Sequence, residues 1–367
     1  MSQITPVTMP TWGLSMEEGT LVKWLVPEGS KIAIGTEIAE IETTKITNVL
    51  EAQEAGILRR HVIGEGETRN CGALIAVIAP AATDDAAIDA FIAEAAIAGA
   101  ADVVPVRPQP QMVDIGGGAA LRYFKLGDGG VPAVLLHGFG GDLDNWQLNH
   151  PILAADRAAF AIDLPGHGES TKELTRGDLG DLAALVTSGI DALGLERFHL
   201  IGHSLGAAVA LALASAAPQR IATLSLIAPY AVGVPIEPSY APDFIAARKT
   251  RDLQKVLARL FADPSRMSRD MVEGVARAKR LDGAEAALSA IAATNFTGTM
   301  ARIDIATLAA EIPVAVIWGE RDAVIPPPAK DIAGVAMHYL SDIGHMPHLE
   351  AAEAVNAILS AQMGDAK

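Results

Sequence analysis

Leu200-Ile201-Gly202-His203-Ser204-Leu205-Gly206-Ala207-Ala208 carries Gly-x-Ser-x-Gly at the point where a short apolar run meets an Ala/Leu-rich one. A serine held on a tight strand-to-helix turn adopts strained backbone angles, so its flanking positions at 202 and 206 must be small, and both are glycine. The chemistry such a serine offers is nucleophilic attack on an acyl carbon. Its hydroxyl is a weak nucleophile until a base takes the proton, and the base in turn needs a carboxylate to orient it. Downstream, Glu320-Arg321-Asp322-Ala323-Val324-Ile325-Pro326 offers two carboxylates, and Ile343-Gly344-His345-Met346-Pro347-His348 offers two imidazoles. The order serine, acid, histidine is one of those known to build such a site.

Other reactive side chains read differently. The pair His199 and His203 lacks the glutamate of a zinc-binding His-Glu-x-x-His, and no metal is expected. His137-Gly138-Phe139-Gly140 follows an apolar run as a dinucleotide loop would, but the third glycine falls at Leu143, which excludes that fingerprint. His137 and His203 are expected to line the site, and His348 to pack or cap. Cys71, the single cysteine, cannot form an intrachain disulfide and reads as a buried structural thiol. Lys45 stands in Glu42-Thr43-Thr44-Lys45-Ile46-Thr47-Asn48 between two apolar runs, which places it at an exposed hairpin tip.

These residues need elements to hold them. Phe198–Ile201 reads as a buried parallel strand and Leu205 to Ala216 as a helix ended by Pro218. Pro132–Leu136, Phe160–Asp163 and Pro313–Gly319 read as further strands, with Ala119–Lys125 ahead of them. Alternating strand and helix patterns predict a mostly parallel sheet covered by helices on both faces, with reactive groups beyond the carboxyl ends of the strands. Between Ile227 and Ile312 lie about eighty residues of helical pattern, including Ala241 to Phe261 and Ser268 to Lys279.

The first eighty residues are different. At an offset of 37, Gly19 aligns with Gly56, Leu21 with Leu58, Gly29 with Gly66, Gly35 with Gly72, Ile38 with Ile75 and Ile41 with Ile78. Each half reads as short strands, so two similar half-sheets are expected to pack as a flattened sandwich. Residues 81–114 shift to Ala, Asp and Pro and read as a linker. Within it Asp84 to Ala98 suits a modest helix, and Val103–Pro110 is expected to be extended, letting the module range over roughly 30 Å.

Residues 1–80 resemble the lipoyl (biotinyl-like) domain of 2-oxoacid dehydrogenase complexes. The resemblance is carried by Met9-Pro10, Gly13-Leu14-Ser15-Met16-Glu17-Glu18-Gly19, the tip from Glu42 to Thr47, Glu51-Ala52 and Gly56. It implies that Lys45 bears lipoic acid in amide linkage. Biotin is the competing modification, but its acceptor lysine sits between methionines, and Thr44 and Ile46 do not match. The chain departs from the lipoyl pattern at Thr44, where family members usually carry Asp. Residues 115–367 resemble the α/β-hydrolase superfamily, which implies a helical cap at about 230–305. It also assigns Asp322 over Glu320 as the acid by the family's spacing and His345 as the base, and gives the backbone N–H groups of Phe139 and Leu205 to an oxyanion hole.

The fold expected is thus multi-domain, an all-β lipoyl-like sandwich followed by an α/β-hydrolase fold with its cap. With Lys+Arg 28 against Asp+Glu 44, a net charge of −16 argues against nucleic acid or an anionic membrane as partner. No leader-like start and no apolar stretch of the ~20 residues needed for a membrane helix is read, and the expectation is a soluble, cytoplasmic protein. The pairing of the two domains is similar to the acyltransferase components of acetoin dehydrogenase complexes. That similarity implies a thiamine-diphosphate-dependent partner that loads acetyl on the lipoyl arm, coenzyme A as acceptor, and a flavin-dependent dihydrolipoamide dehydrogenase that reoxidises the dithiol. The ordinary acyltransferase signature, His-x-x-x-Asp-Gly, is absent. The residues by themselves also allow a lipoyl-fused serine esterase or thioesterase that releases the acyl group to water.

Overall fold

A computed structural model describes residues 4–12, 16, 18–43, 47–100, 109–296 and 303–365, which form two compact units, Met1–Gln109 and Pro110–Lys367. In the first unit the strands are β1 (Thr5–Thr8), β2 (Glu18–Trp24), β3 (Lys31–Ile32), β4 (Glu37–Glu42), β5 (Thr47–Glu51), β6 (Gly56–His61), β7 (Thr68–Asn70) and β8 (Leu74–Ala79). They make two four-stranded sheets, ordered β1-β8-β6-β3 and β5-β4-β2-β7, with every pairing antiparallel. Leu21, Ile38, Ile41, Leu58 and Ile75 fill the space between the sheets and are wholly buried.

The repeat has a steric basis. Gly29 and Gly66 turn with φ of +84° and +83°, and Gly35 and Gly72 with +82° and +84°, a region that side chains disfavour. Gly19 and Gly56 are close-approach points instead. A methyl at Gly19 would lie 2.8 Å from Ile41, and one at Gly56 would lie 2.5 Å from Ile78, so each half repeats the same glycine-on-isoleucine contact. Cys71 is buried, and its thiol donates to the carbonyl oxygen of Met16 at 3.3 Å.

Within 81–114, expected to be a linker, the helix expected over Asp84 to Ala98 forms and is docked on the first unit. Helix α1 (Asp85–Ala100) packs Ile88, fully buried, against Val77 and Ala79 of β8. Arg59 ties its start down, donating to the carbonyl oxygens of Pro80 (2.9 Å) and Thr83 (3.1 Å) and to Asp85 (2.8 Å). The second unit also begins earlier than 115, with β9 (Gln111–Gly116).

That unit is built on one eight-stranded sheet. Its strands are β9, β10 (Ala119–Leu126), β11 (Ala133–Leu136), β12 (Ala159–Ile162), β13 (Phe198–His203), β14 (Ile221–Ile227), β15 (Val314–Gly319) and β16 (Ala336–Leu340). The order is β16-β15-β14-β13-β11-β12-β10-β9. All neighbours from β12 to β16 run parallel, and β10 and β9 add an antiparallel edge. The central strands β11, β12, β13, β14 and β15 are buried along their whole length, as a sheet covered on both faces requires. Helices α2 (His150–Leu153), α3 (Leu179–Ala192) and α4 (Leu205–Ala216) follow in the first half of the unit.

In the helical insertion between β14 and β15, the stretch expected over Ser268 to Lys279 forms one helix, while that over Ala241 to Phe261 is broken into shorter pieces. The insertion comprises α5 (Tyr240–Ala246), α6 (Thr250–Leu257), α7 (Arg269–Ala278), α8 (Ala284–Asn295) and α9 (Ile305–Ala309), and the chain ends in α10 (Pro347–Glu350) and α11 (Ala352–Asp365). Among the described residues, no helix is long and apolar enough to cross a membrane.

Candidate active site

Ser204 stands between β13 and α4 with φ of +52°, a left-handed angle forced by the turn. The two flanking glycines are where backbone must pass backbone. A Cβ at Gly206 would strike the carbonyl oxygens of Leu136 and His137, and one at Gly202 would strike the backbone of Gly206 and Ala207. The elbow therefore fixes Ser204 at the carboxyl end of the central strand, as the sequence pattern indicated.

His345 meets it from the loop between β16 and α10. Its Nε2 lies 3.0 Å from Ser204 Oγ, and its Nδ1 lies 2.7 Å from Asp322 Oδ2. Asp322, in the loop after β15, is fixed by its other oxygen, which accepts from the N–H groups of Val324 and Ile325 at 2.8 Å each. All three side chains are buried. Glu320 is exposed and instead accepts from Ser341 Oγ at 2.8 Å. Of the two carboxylates and two imidazoles offered by the sequence, one of each reaches the serine relay.

Leu205 is the first residue of α4, so its N–H has no partner within the helix. The N–H of Phe139, in the loop after β11, likewise finds no hydrogen-bond acceptor among the described residues. Gly138 brings that loop against the serine, since a Cβ there would sit 3.1 Å from Ser204 Cβ. Two N–H groups and the positive end of a helix thus flank the hydroxyl.

The base loop is held by contacts that sequence inspection did not reveal. His203 Nε2 lies 2.8 Å from the carbonyl oxygen of His345 and acts as its donor. The N–H of His345 donates to Leu260 at 2.7 Å, and Glu350 spans the same junction, accepting from Gly344 (2.8 Å) and from Ala262 (2.9 Å). Burial raises the Glu350 carboxyl above its usual range. Leu260 and Ala262 belong to the helical insertion, so the base loop and the cap are laced together through backbone. No spacing in the sequence announces this, because backbone groups make most of the bonds.

Three further histidines are buried near the serine. Burial pushes His348 down to about 3 and His137 to about 4, and His203 well below its usual value. His348 lies between Trp146 and His203, with ring centroids 4.8 and 4.5 Å away, which fits the packing role expected of it. Only His203 lines the cleft; His137 supports the loop beneath, accepting from Leu164 N–H at 2.9 Å. Among the described residues no group of three metal-ligating side chains occurs.

Over Ser204 lies a narrow cleft, to whose walls the cap contributes Ile236, Tyr240, Leu257, Leu260, Met271 and Val275. Its lining is mostly apolar and includes Ser204, His345 and Phe139. Such an arrangement can take an acyl group from an ester or thioester onto Ser204 and pass it on.

Lys45 lies outside the described residues, as do Thr44 and Ile46. The strands on either side of it, β4 and β5, are paired antiparallel with Glu42 opposite Thr47.

Residues 133–358 match a family described as the alpha/beta hydrolase family, and residues 5–78 match one described as biotin-requiring enzyme. The chain is 45% identical to the dihydrolipoyllysine-residue acetyltransferase component of the acetoin cleaving system of Pseudomonas putida, over 97% of both chains. It is 39% identical to the component of that name from Cupriavidus necator, over 98% of both. Among solved structures, a meta-cleavage product hydrolase from Pseudomonas fluorescens shares the fold of the second unit, with a TM-score of 0.63 at 20% identity over 70% of this chain and 98% of that one. With both domains matched and near-complete coverage of these two relatives, the chain belongs to the family of dihydrolipoyllysine-residue acetyltransferase components of acetoin cleaving systems.

Proposed function

We propose that this acetyltransferase passes acetyl from a lipoyl group on Lys45 to coenzyme A through an acyl-enzyme on Ser204. The observation that carries the reading is the Ser204–His345–Asp322 relay, at 3.0 and 2.7 Å, beside two unbonded N–H groups in a chain that also has a lipoyl-type module. The lipoyl group supplies a dithiol that carries acetyl as a thioester.

Ser204 Oγ attacks the acyl carbonyl while His345 Nε2 takes its proton, and Asp322 holds the imidazole in the tautomer that makes Nε2 the acceptor. The developing oxyanion is held by the N–H groups of Phe139 and Leu205, where losing one donor typically costs about 2.7–4 kcal/mol. Collapse breaks the carbon–sulfur bond, and His345 returns the proton to the departing sulfur. The coenzyme A thiol then gives its proton to His345 and attacks the acetyl-serine, which breaks the carbon–oxygen bond and restores the hydroxyl.

The partners that fit are a thiamine-diphosphate-dependent enzyme that loads the arm and a flavin-dependent dihydrolipoamide dehydrogenase. A cytoplasmic location agrees with the lone, buried Cys71. Incubating the lipoylated chain with the thiamine enzyme, acetoin and coenzyme A should give acetyl-coenzyme A. Lys45→Ala should abolish it, and Ser204→Ala should abolish it while leaving the arm loaded. Unchanged product from Ser204→Ala would remove the serine from the route. Acetate formed at a rate indifferent to coenzyme A would instead favour a thioesterase.

A further inference from the structure

The chain's negative charge is not shared by its cap. Residues 237–296 hold 10 Lys and Arg against 8 Asp and Glu, while the rest of the chain holds 18 against 36. A polyanion meets less net negative charge in this segment than in the rest of the chain.

Those helices also carry a second opening. Between α5 and α8 runs a groove whose walls include Ala241, Pro242, Ile245, Ala292 and Phe296, with Arg248 and Glu285 at its edge. Phe296 packs edge-to-face on Phe139, with ring centroids 5.2 Å apart, so one end of the groove is a single ring away from the loop that flanks Ser204. Beside Arg248 the chain continues through Lys249, Thr250 and Arg251, all exposed. Arg248 is paired with Glu285 at 2.8 Å, but Lys249 and Arg251 make no ion pair among the described residues. Lys249 is also the N-cap of α6 and gives it no side-chain hydrogen bond; its carbonyl accepts from Asp252 and Leu253, while the N–H groups of Thr250 and Arg251 find no acceptor among the described residues.

We propose that this face of the cap is the docking site of coenzyme A, with its phosphates against Lys249, Arg251 and the start of α6, and its pantetheine arm along the α5–α8 groove toward Phe296. The inference rests on the acyl-serine reading and adds to it where the acceptor binds. A small thiol or water would have no use for cations placed away from the acyl cleft. A nucleotide thiol has several negative charges at one end and a long, largely uncharged arm carrying the sulfur at the other, which matches a cationic edge leading into an apolar groove. The Phe296 and Phe139 rings stand between the groove and the acyl cleft and must part for the thiol to pass; at the acetyl-serine it loses its proton to His345 as the sulfur–carbon bond forms, and Ser204 leaves with that proton.

The test uses the full-length, lipoylated chain and follows thiol acetylation with coenzyme A, dephospho-coenzyme A and pantetheine. In the Lys249→Glu/Arg251→Glu variant, KM for coenzyme A should rise by about ten-fold, with kcat and the KM for pantetheine within about two-fold of the parent. The parent's kcat/KM for coenzyme A should fall with added salt, and the variant should lose most of that slope. Hydrolysis of a small acetate ester should be unchanged in the variant, which shows that the fold and the relay are intact. Ala292→Trp, which fills the groove, should raise KM for coenzyme A and pantetheine alike. An unaltered KM and salt slope for coenzyme A in the charge-reversed chain would overturn the site while leaving the acyl-serine reading standing. So would an Ala292→Trp variant that loses only long-chain ester turnover, since the groove would then be an acyl channel. Failure of the parent to acetylate any of the three thiols would overturn the reading beneath it.

Discussion

Glu350 acts on the base without touching the reacting atoms. Its two oxygens take the N–H of Gly344, next to His345, and the N–H of Ala262 in the cap, while Arg266 donates to its backbone oxygen. A carboxylate accepts on both sides; a carboxamide accepts on one and presents N–H groups to the other. Glu350→Gln should therefore loosen the base loop, lowering kcat for small-ester hydrolysis by roughly 10–100-fold while KM stays within about two-fold. Glu350→Asp, which keeps both acceptors on a shorter stem, should recover part of the loss. Equal loss in both variants would show that the pocket tolerates no change there and that orientation is not what Glu350 supplies. A second consequence lies in the buried histidines. His348, pushed by burial to about 3, and His137, to about 4, take up a proton only on unfolding once pH falls below the ordinary 6.5. Folded values below unfolded ones mean stability is present at neutral pH and lost as pH falls from about 6.5 toward 3–4, at up to about 1.36 kcal/mol per pH unit for each histidine. Chemical denaturation of His348→Phe across that window should show a shallower acid loss than the parent. Ser204, Asp322 and His345 were legible because motif and order expose them. Glu350 and the duty of His203 were not, because each acts on backbone groups far away in sequence.

At the level of elements, legibility followed periodicity and glycine placement. The repeat of the first unit could be read because its glycines have no substitute, at positive φ for Gly29 and Gly66 and at an isoleucine contact for Gly19 and Gly56. Helix α4 was read to its ends, since an Ala/Leu run closed by proline admits little else. The docking of α1 was hidden because a helix of mostly Ala and Ile shows no polar side from which to infer an inner one. Strand β9 was hidden for another reason: as a sheet edge it half-buries only Val113 and Ile115, and it sits directly behind a proline-rich run. The docking of α1 is open to test. Ile88 is fully buried against β8, so Ile88→Asp replaces an apolar contact with an unpaired charge and should cost about 3 kcal/mol of docking. Amide exchange across Asp85–Ala100 should then quicken by roughly a hundredfold, while the strands of both sheets keep their protection. Uniform acceleration through the module would mean that α1 is part of its core rather than a helix laid on it.

For the whole molecule, the docked helix changes what the tether can be. With α1 held on the first unit and β9 in the second, the chain between them is Ala101–Pro110, which reaches at most roughly 35 Å when fully extended. On the proposed route, a short tether would make delivery of the acyl group an intramolecular event, with an effective concentration on the order of millimolar for linkers of this class. A purified chain assayed at micromolar concentration gains that factor only while the two units are joined. Introducing a protease site between residues 101 and 108 and cutting after folding should leave small-ester hydrolysis by the Ser204 unit unchanged. Acetyl-coenzyme A formation from acetoin should fall by about 10²–10³-fold at micromolar protein and recover as the cut halves are concentrated. A cut protein that keeps its full rate at micromolar concentration would mean that the halves bind each other directly, and the tether would then contribute nothing to transfer. A cut protein whose rate falls but does not return with concentration would mean that acyl groups do not pass between the module and Ser204 at all.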